Sequence, residues 1–202
     1  MTFTRPLTAT AVLLALAAPA SALTANATTD LNLRAGPGAQ YPVEGVIQTA
    51  DAVDVQGCIA GSEWCKVMYD GKEGWAHSAY LTASYQAKPV VVYENFQQLE
   101  VAPLDYVTDD KNPARTFQPV GDLIIGQPTN MPIVVDDNVT LQYVTANPVQ
   151  PVYLNGEVVV GAGIPAAVEV YPVPDTTYQY LNVNDQLVVI EPQTRQIIRV
   201  VR

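Results

Sequence analysis

Apolar and polar positions alternate along this chain in short bursts at strand spacing. Leu31 and Leu33 bracket Asn32 and sit between Asp30 and Arg34, the two-residue period of a half-buried strand. Gly36-Pro37-Gly38 then breaks the pattern and forces a loop. Residues 43–47 offer a second strand. Val53 and Val55 alternate with Asp54 and Gln56 in a third, and residues 64–69 make a fourth. Asp70-Gly71 tolerates the positive φ angles of a tight hairpin, so the chain returns through Gly74-Trp75-Ala76 as a fifth strand. Short strands at this spacing predict a small barrel, which avoids exposed edges by closing on itself.

Patterning weakens after Leu81. Lys88-Pro89 opens a stretch read as a linker, with one short helix expected over 94–101. A polar turn cluster follows at Asp109-Asp110-Lys111-Asn112-Pro113. Apolar runs resume at Leu123-Ile124-Ile125 and Ile133-Val134-Val135. Residues 139–161 align without gaps onto 168–190, with Val139/Val168, Val144/Val173, Gln150/Gln179, Asn155/Asn184, Val159/Val188 and Val160/Val189 identical. The alignment predicts two similar β-hairpins, turning at Asn155-Gly156 and at Asn184-Asp185, each covering the apolar face of the other. Chance similarity between Val-rich stretches is the competing reading.

Composition supports an all-β class. Hydrophobic residues make up 49% of the chain and charged residues 15%, so a packed core is expected. Sixteen prolines argue against long helices, because an interior proline removes a hydrogen bond and clashes with the preceding turn. Arg5, the apolar run 11–18 and the small residues Ala20-Ser21-Ala22 form a secretory signal, cleaved after Ala22. The apolar run is too short to span a bilayer comfortably, and no membrane span is expected after cleavage. Export places the protein in the periplasm or outside the cell. Loss of residues 1–22 removes Arg5 and no acid, taking the formal net charge from −10 to −11. Such a surface repels nucleic acid and anionic lipid, and it keeps an exported protein soluble. Cys58 and Cys65, the only two cysteines, are read as a disulfide in that oxidising setting, closing an eight-residue loop. A redox pair more often shows Cys-x-x-Cys spacing, and a metal site needs more ligands than the single His77 adds.

Several separate motifs stand in register across the first half. The run Leu31-Asn32-Leu33-Arg34-Ala35-Gly36-Pro37-Gly38 resembles the N-V-R-x-G-P-G signature of bacterial SH3-like (SH3b) domains. Trp64-Cys65-Lys66-Val67, then Asp70-Gly71-Lys72-Glu73-Gly74-Trp75, then Tyr80-Leu81 resemble that family's closing W-x-x-V, G-x-x-G-W and Y-L elements. The resemblance implies an SH3-like barrel over residues 26–83, and many members carry a cysteine pair bracketing the same hairpin. The segment departs from basic wall-binding members in its charge, with seven acids and three bases over 28–82. A second resemblance covers 139–202. Val160-Gly161-Ala162-Gly163-Ile164-Pro165, Tyr171-Pro172-Val173-Pro174, Glu191-Pro192, Thr194-Arg195 and Ile197-Ile198 look like a C-terminal domain of unknown function found in exported proteobacterial proteins. The division is therefore signal peptide 1–22, barrel 26–83, linker or irregular segment 84–119 and C-terminal β domain 120–202.

Reactive constellations are sparse in this sequence. Cys–His chemistry needs a free thiol beside a base, and a serine triad would have to recruit His77 without a Gly-x-Ser-x-Gly elbow. His77 itself reads as an exposed turn residue. Asp109-Asp110 and Asp136-Asp137 read as solvated turns rather than paired catalytic carboxylates, and no phosphate-cradling glycine loop is present. No catalytic residue, cofactor or metal is expected. Binding is better supported, since SH3-like barrels line a peptide groove with aromatics and rigid aromatics supply contact area at little entropic cost. Tyr41, Arg34, Trp64, Trp75 and Tyr80 are the candidate ligand contacts, with core packing the competing reading for Trp64 and Trp75. The function expected is a non-enzymatic binding or scaffold protein of the cell envelope, engaging wall peptide or another envelope protein. The alternative is a structural or assembly protein that pairs through its C-terminal hairpins.

Overall fold

A computed structural model describes residues 23–107, 114–116, 118–126 and 138–202. The signal segment, both Asp-Asp pairs and the run at 133–135 lie outside the described residues. The first sheet contains β1 (Leu23–Ala27), β2 (Leu31–Arg34), β3 (Val43–Ile47), β4 (Ala52–Ile59), β5 (Trp64–Tyr69), β6 (Lys72–His77), β7 (Leu81–Tyr85), β8 (Lys88–Val91) and the short β9 (Pro103–Leu104). The five strands expected from the pattern are β2 to β6. Asp70 and Gly71 turn β5 into β6 with φ of 49° and 74°, the left-handed pair read from the sequence.

Strand order is β3-β2-β6-β5-β4-β1-β7-β8, with β9 parallel to β4. The path is open, because β3 and β8 do not pair with each other. The SH3-like fold is as expected, but its closure is corrected to an open sheet. A register shift between Val55 and Gly57 interrupts the β4–β5 ladder, which increases local twist. Strands β1, β7 and β8 enlarge the sheet beyond the expected five. Gln86 and Ala87, at φ of 50° and 63°, make the β7–β8 turn. Part of the segment read as a linker is therefore sheet. The helix expected over 94–101 is a single 3-10 turn at Tyr93–Asn95 followed by further turns.

The second half contains α1 (Asn138–Ala146), β10 (Pro151–Val152), β11 (Tyr171–Pro172), β12 (Gln179–Val183), β13 (Gln186–Ile190) and β14 (Ile197–Val200). Its sheet runs β10-β12-β13-β14, with β11 also on β12. Only one of the two aligned copies is a hairpin. Asn184 and Asp185 turn β12 into β13 at φ of 54° and 66°. The other copy holds α1 and the two-residue β10, and Asn155 makes an isolated bridge to Asp122. The physical reason is proline. Pro151 stands where the hairpin copy has Tyr180, which pairs with both Tyr171 and Val189, and a proline cannot donate to a ladder. Pro148 also ends α1, since the residue before a proline is pushed out of the helical region.

Strand periodicity then builds the core. Tyr180, Val189 and Ile198 face α1 with Val144 and Val173 in one cluster. Leu181, Val183, Val188, Ile190, Ile197 and Val200 face the other way and join Leu31, Leu33, Ile47, Val67 and Leu81 of the first sheet in one continuous cluster. The two halves therefore share a core.

Candidate functional site

The sequence places Arg34 in what reads as the exposed half of β2. The structure buries all four β2 residues, because the C-terminal half covers the face that would otherwise meet water. Arg34 and Glu157 form an ion pair with both side chains 0% exposed. The geometry is a fork, with Nε donating to Oε2 at 2.6 Å and Nη2 to Oε1 at 2.5 Å. The Arg34 Nη1 donates to the carbonyls of Tyr41 at 2.8 Å and Ala39 at 3.3 Å. Glu157 Oε1 accepts further from Asn32 Nδ2 at 2.7 Å and from the Val158 amide at 2.8 Å. Every polar end of the pair is engaged, as burial of charge requires. Arg34 is thus a structural clasp between the halves, facing away from solvent.

The other four candidates are also buried, and Tyr106 covers two of them. Tyr106, from the segment after β9, meets Trp75 edge-on at 5.2 Å and Tyr41 edge-on at 6.0 Å. Burial, together with a hydrogen bond to Tyr106, raises the Tyr41 hydroxyl to about 12. Arg115 fastens the same side. Its amide donates to the Gln40 carbonyl at 3.0 Å, and its guanidinium pairs with Asp185 in the β12–β13 turn. Trp64 lies edge-on to His77 at 5.3 Å, with the Arg34 guanidinium 6.0 Å from its ring. Burial first, then the carboxylates of Glu157 and Glu63, raises the Tyr80 hydroxyl well above its ordinary value, against a backbone hydrogen bond at Gly126.

Where the halves meet, a trough opens instead. Its centre is a cavity of about 160 Å³ lined by Glu63, His77, Tyr80, Asp122, Leu123, Ile125 and residues 155–157. One end widens to about 450 Å³ between residues 37–40, residues 61–64 and Tyr93. A neighbouring pocket of about 400 Å³ is lined by Thr28, Tyr80, Thr82, Tyr93, Glu94 and Ile125. Shared walls join them: Glu63 and residues 155–156 on one side, Tyr80 and Ile125 on the other. Trp64 and Tyr80 are the two expected contacts that line this trough, whereas Tyr41, Trp75 and Arg34 do not.

His77 ends β6 and is fully buried, not an exposed turn residue. Its Nε2 lies 2.9 Å from Glu63 Oε2. That hydrogen bond holds the Glu63 carboxyl below its usual value, against the opposing effect of burial. Glu63 and Tyr93 carried no signal in the sequence, and Asn155-Gly156 only that of a turn, because the trough is built from both halves. Gly156 has φ of 92°, and a Cβ there would lie 3.3 Å from that of Leu123, so its backbone conformation favours glycine. Among the described residues no three His, Cys, Asp or Glu side chains are grouped to hold a metal ion.

Comparison with known families locates both halves. Residues 29–82 match the bacterial SH3 domain. The match confirms the resemblance read from the N-V-R-x-G-P-G run and the closing Trp-rich elements. Residues 143–202 match a domain of unknown function, DUF1236. No curated protein matches the chain. An SH3-like module followed by a second β domain is the arrangement expected. Cys58 and Cys65, opposite each other on β4 and β5, form the disulfide. No helix among the described residues is long and apolar enough to cross a membrane. The bacterial SH3 match points to a binding module.

Proposed function

We propose that this chain is a non-enzymatic, exported binding or scaffold protein of the cell envelope, whose SH3-like module engages wall peptide or an envelope protein. The observation that carries the reading is the trough beside the 37–40 loop. It is walled by Trp64 and by Tyr93, a residue 39% exposed. An aromatic at a groove mouth supplies rigid contact area to an extended ligand. Both cysteines of the chain are consumed by the disulfide and the single histidine is tied to Glu63, which leaves no thiol nucleophile with a base beside it. The disulfide also supports an oxidising compartment.

Co-sedimentation with purified peptidoglycan tests the wall-ligand form. The oxidised protein is expected to be retained, and Tyr93→Ala to weaken retention about fivefold or more, the effect of losing one aromatic anchor. Absence of retention removes the wall ligand. Retention unchanged by Tyr93→Ala moves the ligand face away from the trough.

A further inference from the structure

We propose that residues 102–107 form an autoinhibitory strap over the aromatic face of the SH3-like module, and that this face otherwise takes an extended peptide presenting a tyrosine side chain. The face is separate from the trough, which neither Tyr41 nor Trp75 lines, so the assignment goes beyond the binding reading above. The occupant shows what the face selects. Tyr106 stands nearly perpendicular to both rings beneath it, at 82° to Trp75 and 86° to Tyr41. Such edge-on contact sets the positive edge of one ring against the negative face of another. The Tyr106 hydroxyl is also hydrogen-bonded to that of Tyr41. An aliphatic side chain offers neither contact.

The module has a seat for this segment and holds it by few contacts. Gly57 lies at the register shift of β4, and a Cβ there would fall 2.7 Å from the Ala102 carbonyl oxygen and 2.7 Å from Leu104 Cγ. A glycine within a strand often marks such a close approach of another backbone. The Cys58 amide donates to the same Ala102 carbonyl at 2.9 Å, and β9 adds a parallel pairing of two residues. The strap itself stays at the surface. Ala102, Pro103, Asp105 and Val107 are exposed, Val107 at 83%, whereas Tyr41 and Trp75 beneath are 3% and 7% exposed. A segment with few buried groups opens locally at lower cost than the sheet under it. Opening uncovers two aromatic rings that one tyrosine bridges, a surface that the tyrosine of a partner peptide refills.

Fluorescence anisotropy of a fluorescein-labelled peptide with the sequence of residues 101–107, titrated with the oxidised full chain, tests the strap. In the wild type the tethered copy competes at an effective concentration of about millimolar. A face open in fewer than about one molecule in ten weakens capture of the free peptide at least tenfold. Tyr106→Ala empties the face, and Gly57→Ala unseats the strap through its backbone while leaving every aromatic in place. Each is expected to bind the peptide about tenfold or more tightly than the wild type, and Gly57→Ala keeps the test decisive should Tyr106→Ala disturb folding. The same peptide bearing Tyr106→Ala is expected not to bind. Equal affinity for the wild type and both variants, no capture by either variant, or capture of the alanine-bearing peptide overturns the strap. Loss of capture when Tyr93→Ala is added to Tyr106→Ala places the peptide in the trough and also overturns it. Capture that survives Tyr93→Ala in a protein that peptidoglycan does not retain supports the strap and removes only the wall ligand.

Discussion

Replacing Glu157 with Gln isolates the energetics of the junction. The substitution keeps the side-chain volume and one acceptor, but it leaves the Arg34 guanidinium at 0% exposure with no counter-charge. Exposed ion pairs contribute about 0.2–1 kcal/mol, because water screens them and both side chains lose freedom. Breaking a buried pair by removing one partner costs about 3–5 kcal/mol, since the remaining charge stays desolvated. The residual amide acceptor places Glu157→Gln near the lower end, about 3 kcal/mol, or a fall in Tm of about 6–12 °C for a chain of this size. Urea unfolding followed by tryptophan emission reads it directly, because Trp64 lies 6.0 Å from the guanidinium. Asp185→Asn is the control. Its partner is Arg115, the two side chains are 43% and 37% exposed, and the expected loss is under about 1 kcal/mol. Replacing Arg34 and Glu157 together with methionine is expected to restore most of the loss, as a buried pair exchanged for apolar volume often does. A Glu157→Gln effect no larger than that of Asp185→Asn would falsify the claim that the fork holds the halves together.

Two further outcomes follow from the described contacts. Changing both Cys58 and Cys65 to Ser opens an eight-residue loop and should lower stability by about 2.5 kcal/mol on the chain-entropy model. Calorimetry of the oxidised and reduced protein gives the comparison, and equal Tm values refute a stabilising bridge. The tyrosines set an alkaline limit. Tyr41 rises from 10.0 to about 12, chiefly through burial and then through Tyr106. A raised folded value favours the neutral hydroxyl, so the contribution is whole below pH 10 and is lost as pH climbs toward 12. Tyrosinate absorbance during alkaline titration should resolve a late component, which Tyr106→Phe brings earlier. Ionisation of every tyrosine in one step near its ordinary value contradicts the assigned burial.

How much of this was legible in the sequence depends on whether the deciding contacts are local. Alternation located β2 to β5, Asp70-Gly71 located the hairpin that returns β5 into β6, and the SH3-like motifs located the module, since each signal sits within a few residues of the structure it dictates. The same local logic misread Asn32 and Arg34. Their alternation with Leu31 and Leu33 means that β2 has two different faces, and it does not say that the polar face meets water. Glu157, more than a hundred residues away in sequence, covers that face. Tyr41 and Trp75 stand as contact candidates in the sequence because nothing near them announces Tyr106. The hairpin repeat failed for a different reason. Six identities outweighed the prolines at 148 and 151, although a missing backbone donor excludes a central strand whatever the apolar pattern. Strands β1, β7 and β8 were missed because their alternation is short and interrupted by Ala, Ser and Lys, residues with little preference for strands.

The junction also changes what an SH3-like module means in this chain. The aromatic face that the fold would ordinarily present is occupied internally, by Tyr106 over Tyr41 and Trp75 and by Arg115 on the carbonyl of Gln40. The proposed recognition surface is instead the trough, with one wall from each half. Glu63, His77 and Tyr93 come from the first, and Asp122, Ile125 and Asn155 from the second. A ligand seated there touches both halves, and the Arg34–Glu157 fork lies directly behind it, since Glu157 also lines the cavity. Ligand affinity is therefore linked to docking of the C-terminal domain, because only the docked form holds the complete wall. On the proposed reading the C-terminal domain would supply half of the binding site, so deleting residues 120–202 is expected to abolish wall retention by the SH3-like module.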